Sequence, residues 1–335
     1  MNFLFNKVVV VGLGQIGGSI AWALKKNRVA RQVIGLDRDA KTLRIAKRLG
    51  MIDAKVGGDG ESWAESEGLG VTPSTLWQCL STRDRATRSQ DPPSNLIILA
   101  IPVSEIRLFF KNLRKVKNKI SCKKGLIFMD VGSTKETIVR AAAKGLPKRS
   151  FYVGAHPIAG TEKVGIGGAD PKLFKGRRCL LMPLPGTARA VLHRIEKLWR
   201  RLGATVQPMN PKKHDRILSF TSHLPHMIAY SLLPVVTQSI GGVSEVRQWL
   251  EGCATQGCST QGCATQGSLR DATRVTASSP QMWRDISVEN SENIVQAVEA
   301  FQKQLTLLKK KILRREGKEL ERTFASVKKL KEKLS

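Results

Sequence analysis

The stretch Lys7-Val8-Val9-Val10-Val11-Gly12-Leu13-Gly14-Gln15-Ile16-Gly17 decides the fold. Its valine run reads as a buried strand, and the glycines after it at G-x-G-x-x-G spacing read as a tight turn opening a helix. Residues 17–27 carry the pattern of that helix, 32–36 a second strand and 40–49 a second helix, which together make a βαβ unit. Asp37 closes the second strand, about 20 residues beyond the turn, where an acid reaches a ribose. Gly12, Gly14 and Gly17 then allow a pyrophosphate to approach backbone N–H groups at a helix N-terminus. Asp37 favours NAD, since a carboxylate repels a 2′-phosphate; Arg38 next to it is the residue that could pair with such a phosphate.

Working outward, 96–101 and 125–131 read as further buried strands, each leading into a helical pattern, so a parallel sheet continues. Residues 152–155, 178–182 and 204–208 look like later strands. Pro208 and Pro211 punctuate the chain, and the residues beyond them have helical periodicity. The expected architecture is α/β, an N-terminal Rossmann domain with a doubly wound parallel sheet over 1–210 and an all-helical domain over 211–335. Two stretches break the rhythm. Residues 57–95 are polar and without period, and read as an insertion. Residues 252–266 repeat Gly-Cys-Ala/Ser-Thr-Gln three times and read as a flexible loop.

Composition limits the alternatives. At 335 residues the chain has room for about two domains and 41% hydrophobic content suits a globular fold. No apolar run is long enough to span a bilayer, and a cytoplasmic location without a membrane partner is expected. The six cysteines contain no C-x-x-C pair, so reduced thiols are expected and disulfides are not. The net charge of +29, from 56 Lys plus Arg against 27 Asp plus Glu, leaves a basic nucleic-acid-binding protein as a reading from another class. That reading is disfavoured, because the basic residues are dispersed at helical spacing with few aromatics among them. Apolar stripes at Leu305, Leu308, Ile312 and Leu320, Phe324, Val327, Leu330, Leu334 need cover, from the domain itself or from a second subunit.

The chemistry points to His156, which comes just after a strand and opens a glycine-rich loop. A neutral imidazole beside a nucleotide site suits removal of a hydroxyl proton as hydride leaves. Ser133 starts Ser-Thr-Lys-Glu, a capping box, and stands equally well as a site hydrogen-bond donor. His214, His223 and His226 fall on the first helical stretch of the second domain, where Pro225 interrupts it. No carboxylate or cysteine stands at ligand spacing to them, so no metal is expected there.

Together these motifs resemble the prephenate dehydrogenase family: GLGQIGGS, ILAIPV at 98–103, DVGSTK at 130–135, HPIAGTE at 156–162, SHLPH at 222–226, RDATR and PQMWRDI within 270–286. The resemblance implies a helical dimerisation domain, a homodimer, NAD, and oxidative decarboxylation of prephenate to 4-hydroxyphenylpyruvate, with arogenate dehydrogenase as the neighbouring alternative. It implies His156 as base, Ser133 as donor to the hydroxyl and nicotinamide, and Arg274 as carboxylate anchor. Thr161, Glu162, His223 and His226 would shape the pocket, and Gln15, Ile16, Ile101 and Pro102 would join the cofactor contacts.

Overall fold

The computed structural model describes residues 3–57, 95–117, 125–160, 163–252 and 264–334. Thr161, Glu162, most of the expected insertion and 253–263 of the repeats lie outside them.

The chain divides into two units, Met1–Asp215 with Ala277–Glu289, and Arg216–Thr276 with Asn290–Ser335. In the first, eight strands run β1 Phe5–Val11, β2 Ala30–Leu36, β3 Ala54–Val56, β4 Asn95–Leu99, β5 Leu126–Asp130, β6 Ser150–Pro157, β7 Arg178–Pro183 and β8 Thr205–Pro208. They form one sheet in the order β3-β2-β1-β4-β5-β6-β7-β8. The strands from β3 to β6 are parallel and β7 runs antiparallel to β6, so the expected doubly wound sheet is mostly parallel, with one reversal at β7. Single-strand patterning reports burial, not direction, and β7 is buried like β6 beside it.

Side-chain alternation sorts the core into two layers. Val8 and Val10 face one side, with Ile20 and Leu24 of α1 (Gln15–Lys26), Leu43 of α2 (Ala40–Arg48) and Trp199 of α5 (Arg189–Arg201). Val9 and Val11 face the other, with Phe109 and Phe110 of α3 (Val103–Val116) and Ile138 of α4 (Glu136–Gly145). There Phe110 stacks edge-on against Tyr152 at 5.5 Å between ring centroids. Helices on both faces and reversal of strand order between β1 and β4 open a crevice at the strands' carboxyl ends. α6, Pro211–Leu218, comes after β8; Asn210 caps it by accepting from Lys212 N at 3.0 Å, with Pro211 at the first position.

Residues 277–289 return to the first unit through α10, Pro280–Glu289, once α7 Leu224–Ser239, α8 Val243–Gly252 and α9 Ala264–Thr273 have been laid down in the second. Ser104 donates to Asp285 at 2.6 Å and Arg107 to Glu289 at 2.7 Å, fastening α10 to α3. The helical patterning of 211–335 carried no sign of this return, because periodicity does not say against which unit a helix packs.

The second unit also holds α11, Ser291–Leu313, and α12, Gly317–Leu334, and a π-helical turn, Ser219–His223, precedes Pro225 in the first turn of α7. Of the expected loop over 252–266, Gly252 ends α8 and 264–266 begin α9, and the residues between lie outside those described. In this unit Ala229, Val246, Ile294 and Ala297 are buried, whereas Leu305, Ile312, Phe324, Val327, Leu330 and Leu334 are exposed.

Candidate active site

The glycine turn combines a positive φ with close backbone approach. Gly12 has φ +84°, and a Cβ there would sit 2.5 Å from Ala100 O at the end of β4. At Gly17 a Cβ would meet Gly12 O at 1.9 Å, so no side chain fits. Gly14 is different, since a Cβ there would meet nothing within 4 Å. It precedes α1 without any side-chain cap, which leaves the first N–H groups of that helix turned to an open cradle. That is a fit for a pyrophosphate. Asp37 accepts from Leu13 N at 2.7 Å and from Asp39 N at 2.9 Å, so it ties the turn to the end of β2.

A cleft of about 490 Å³ runs from this turn across the strand ends. Gly14, Gln15, Ile16, Arg38, Ile101, Pro102 and Ser133 line it, opposite Ser279, Met282 and Ile286 from α10 and the residue before it. These positions were missed as a wall of the cleft because their chain segment returns from so far along. Arg38 is directed to Glu105, 3.9 Å away, and Glu105 is raised from the ordinary carboxylate range by desolvation, opposed by Arg38 and reinforced by Asp285 and Asp37. A carboxylate already facing the Arg38 guanidinium competes with an added phosphate. A larger groove of about 650 Å³ in the second unit, lined by Leu233, Pro234, Val243, Arg247 and Arg270 among others, has no carboxylate or imidazole among its described lining residues.

At the neighbouring strand ends, β5 and β6 pair Asp130 with Gly154, two residues before His156. Asp130 is fully buried and accepts from Gly132 N at 2.9 Å, from Tyr152 Oη at 2.6 Å and from Lys135 Nζ. This fixes the 130–135 turn on which Ser133 rides. Desolvation, with the charge of Asp130, pushes the Tyr152 phenol well above its ordinary value. Burial likewise raises the Cys179 thiol, against the positive charge of Lys135 and a hydrogen bond from the His156 backbone.

The capping-box reading of Ser133 is corrected: α4 begins at Glu136, and Asp215 caps it, accepting from Lys135 N at 2.9 Å and Glu136 N at 2.8 Å. Through the same carboxylate the cap continues to His214 Nδ1 at 2.7 Å, and from His214 Nε2 to His156 Nδ1 at 2.8 Å. His214 and Asp215 are buried, and His156 is half-buried. His214 therefore belongs with the first unit and not beside His223 and His226 as expected. The His-Asp dipeptide at 214–215 was the only local signal available.

In the second unit, His223 is buried at a hydrogen-bonding distance of 3.2 Å from the Asn290 amide. His226 bonds Ser222 O at 2.8 Å through Nδ1 and is shifted down, mainly by desolvation and further by the charge of Arg274. The structure therefore brings Arg274 and His226 within each other's field.

A mononucleotide cradle at the switch point, an acid at the second strand end and an imidazole beside them define a nicotinamide-dependent dehydrogenase. Residues 81–208 match the family model for the prephenate dehydrogenase nucleotide-binding domain, and 210–253 with 259–326 match that for the prephenate dehydrogenase dimerization domain. Within the second domain the match is interrupted at 254–258, inside the pentapeptide repeat. The chain belongs to the prephenate dehydrogenase family. It is 29% identical over 328 residues to a Bacillus subtilis prephenate dehydrogenase, covering 98% of this chain and 76% of that protein. A cyclohexadienyl dehydrogenase of Zymomonas mobilis is 27% identical over 314 residues, 94% of this chain and 91% of the relative. Among solved structures, prephenate dehydrogenase from A. aeolicus in complex with hydroxyphenyl propionate and NAD+ superposes with TM-score 0.75 at 27% identity, covering 99% of each chain.

Proposed function

We propose that this chain oxidises prephenate with NAD, releasing carbon dioxide and 4-hydroxyphenylpyruvate, with His156 as the base. The observation that carries the reading is the placement of His156 at the end of β6, linked by hydrogen bonds through His214 and Asp215 to the turn bearing Ser133 in the cleft. NAD, when bound, supplies the hydride acceptor. His156 takes the C4 hydroxyl proton as the C4–H pair leaves, and Ser133 holds the same hydroxyl. Loss of the ring carboxylate then restores aromaticity, which makes the step effectively irreversible. Holding the reactants in register supplies roughly 7 to 11 kcal/mol of the barrier reduction.

Arg274 is proposed as the anchor for a substrate carboxylate, with His223, His226, Thr161 and Glu162 shaping the pocket. Asp37 at the end of β2 and the pairing of Arg38 with Glu105 support NAD over NADP. The match to a dimerization domain and the exposed stripes of α11 and α12 support a homodimer through the second unit. A dimeric mass in sedimentation at micromolar concentration is the expected result, and a fully active monomer would remove this part.

No helix among the described residues is long and apolar enough to cross a membrane; a cytoplasmic location is part of the same proposal. The deciding assay monitors NADH formation with prephenate and with arogenate side by side, then repeats the better pair with NADP. Turnover of prephenate with NAD is expected to be fastest; turnover of arogenate alone would move the substrate, and of neither would end the reading.

A further inference from the structure

We propose that His214 and Asp215 are positioning residues that fix the tautomer of His156, leaving its Nε2 as the unprotonated atom that accepts the substrate's proton. The inference rests on His156 being the base, and each step of it comes from hydrogen-bond direction. Asp215 Oδ1 accepts Lys135 N and Oδ2 accepts Glu136 N, at the positive end of α4, so both oxygens are acceptors and the group is held as a carboxylate. A carboxylate has no proton to give. His214 Nδ1, 2.7 Å from Oδ1, must therefore be the donor. A neutral ring protonated at Nδ1 is an acceptor at Nε2. That atom lies 2.8 Å from His156 Nδ1, which must then donate. His156 is left with its proton on Nδ1 and its lone pair on Nε2.

The opposite tautomer would place a lone pair of His156 against a lone pair of the buried His214, leaving a hydrogen bond unmade at a ring that has no water to turn to. The arrangement also suits the product of proton transfer. When the substrate O–H bond breaks and an Nε2–H bond forms, the new imidazolium keeps Nδ1–H on the His214 lone pair, with the Asp215 charge behind it. The rings sit edge to face at 5.0 Å between centroids, so His214 holds the orientation of the His156 plane as well as its proton.

The test reads the ring directly. Long-range 1H–15N correlations of the full-length protein with NAD, at a pH where His156 is neutral, are expected to show Nδ1–H and an unprotonated Nε2. His214→Phe keeps a ring in the cavity and deletes the acceptor; His156 should move to Nε2–H, and kcat should fall by roughly 10²-fold. KM for both substrates should change less than about threefold, a ratio that separates positioning from lost binding. His214→Gln offers an amide oxygen near the lost Nε2 and should restore the Nδ1–H signal and most of kcat. Should His214→Phe fail to fold, the wild-type and His214→Gln spectra decide the matter. Nε2–H in the wild type, an unchanged His156 spectrum in a folded His214→Phe, or loss of the Nδ1–H signal in a folded His214→Gln overturns the proposal. Failure of the wild type to oxidise prephenate or arogenate would instead sink the functional reading, and the ring spectrum would still report the tautomer.

Discussion

The glycine turn after β1 is closed by Asp37, which takes Leu13 N from 24 residues along the chain, while His156 reaches His214 58 residues on and Asp215 reaches back 80 residues to Lys135. Both corners lie at strand carboxyl ends of one sheet. The cofactor corner is made of backbone and absent side chains, so its geometry is written into local spacing. The base corner is made of side chains from β6 and α6 with the backbone N–H groups at the start of α4, and exists only once the sheet order has put those elements together. A change at the base corner should therefore remove chemistry and spare cofactor binding, and a change at the cofactor corner should do the reverse.

The strongest way to break that contrast is His156→Asn. It keeps a polar side chain of similar reach but cannot take the proton. Stopped-flow and steady-state assays should show kcat lower by about 10²- to 10⁴-fold with the Kd for NAD unchanged. A comparable fall in NAD affinity would mean that the two corners are not separable. Near-normal kcat would make His156 structural.

Arg274→Ala comes next. It removes a charge-assisted contact proposed for a substrate carboxylate, worth roughly 1.5 to 3 kcal/mol, so KM for prephenate should rise about tenfold to 100-fold while kcat stays within a few-fold. Arg274 also depresses His226, whose ordinary value is near 6.5. Its loss should let the His226 ring titrate at higher pH, which NMR can track without substrate. A fall in kcat at unchanged KM would assign Arg274 to the reaction step instead.

How far the sequence could be read obeys the same division. Strands β1, β2, β4 and β5, the glycine turn and Asp37 were legible because periodicity and spacing are properties of short windows. Ser133, read equally as cap or site donor, lines the cleft, and the cap of α4 is Asp215, contributed from another element. The reversal of β7 and the return of α10 to the first unit left no mark in residue patterning, because direction and partner choice are set by packing. His214 looked like one of three histidines on a helical stretch, and only the fold separates it from His223 and His226.

Two glycines of one motif sharpen the account of the cofactor corner. Gly17→Ala forces a methyl against Gly12 O, where 1.9 Å of space exists, so the turn must shift. Overpacking of this kind costs roughly 1 to 3 kcal/mol, and thermal melting should show it even without NAD. Gly14→Ala sits at φ −65° with nothing within 4 Å of the added carbon. Its stability cost should be on the order of 0.5 kcal/mol, the size of an altered N-cap. The methyl does occupy the cradle where a pyrophosphate would approach α1, so Kd for NAD should rise even though the melt is almost unmoved. Paired melting and NAD titration of the two variants give the result: Gly17→Ala losing both stability and affinity, Gly14→Ala losing affinity alone. If Gly14→Ala binds NAD as the wild type does, the open space at Gly14 is not where the pyrophosphate lies, and the cofactor corner must be rebuilt around a different approach to the helix.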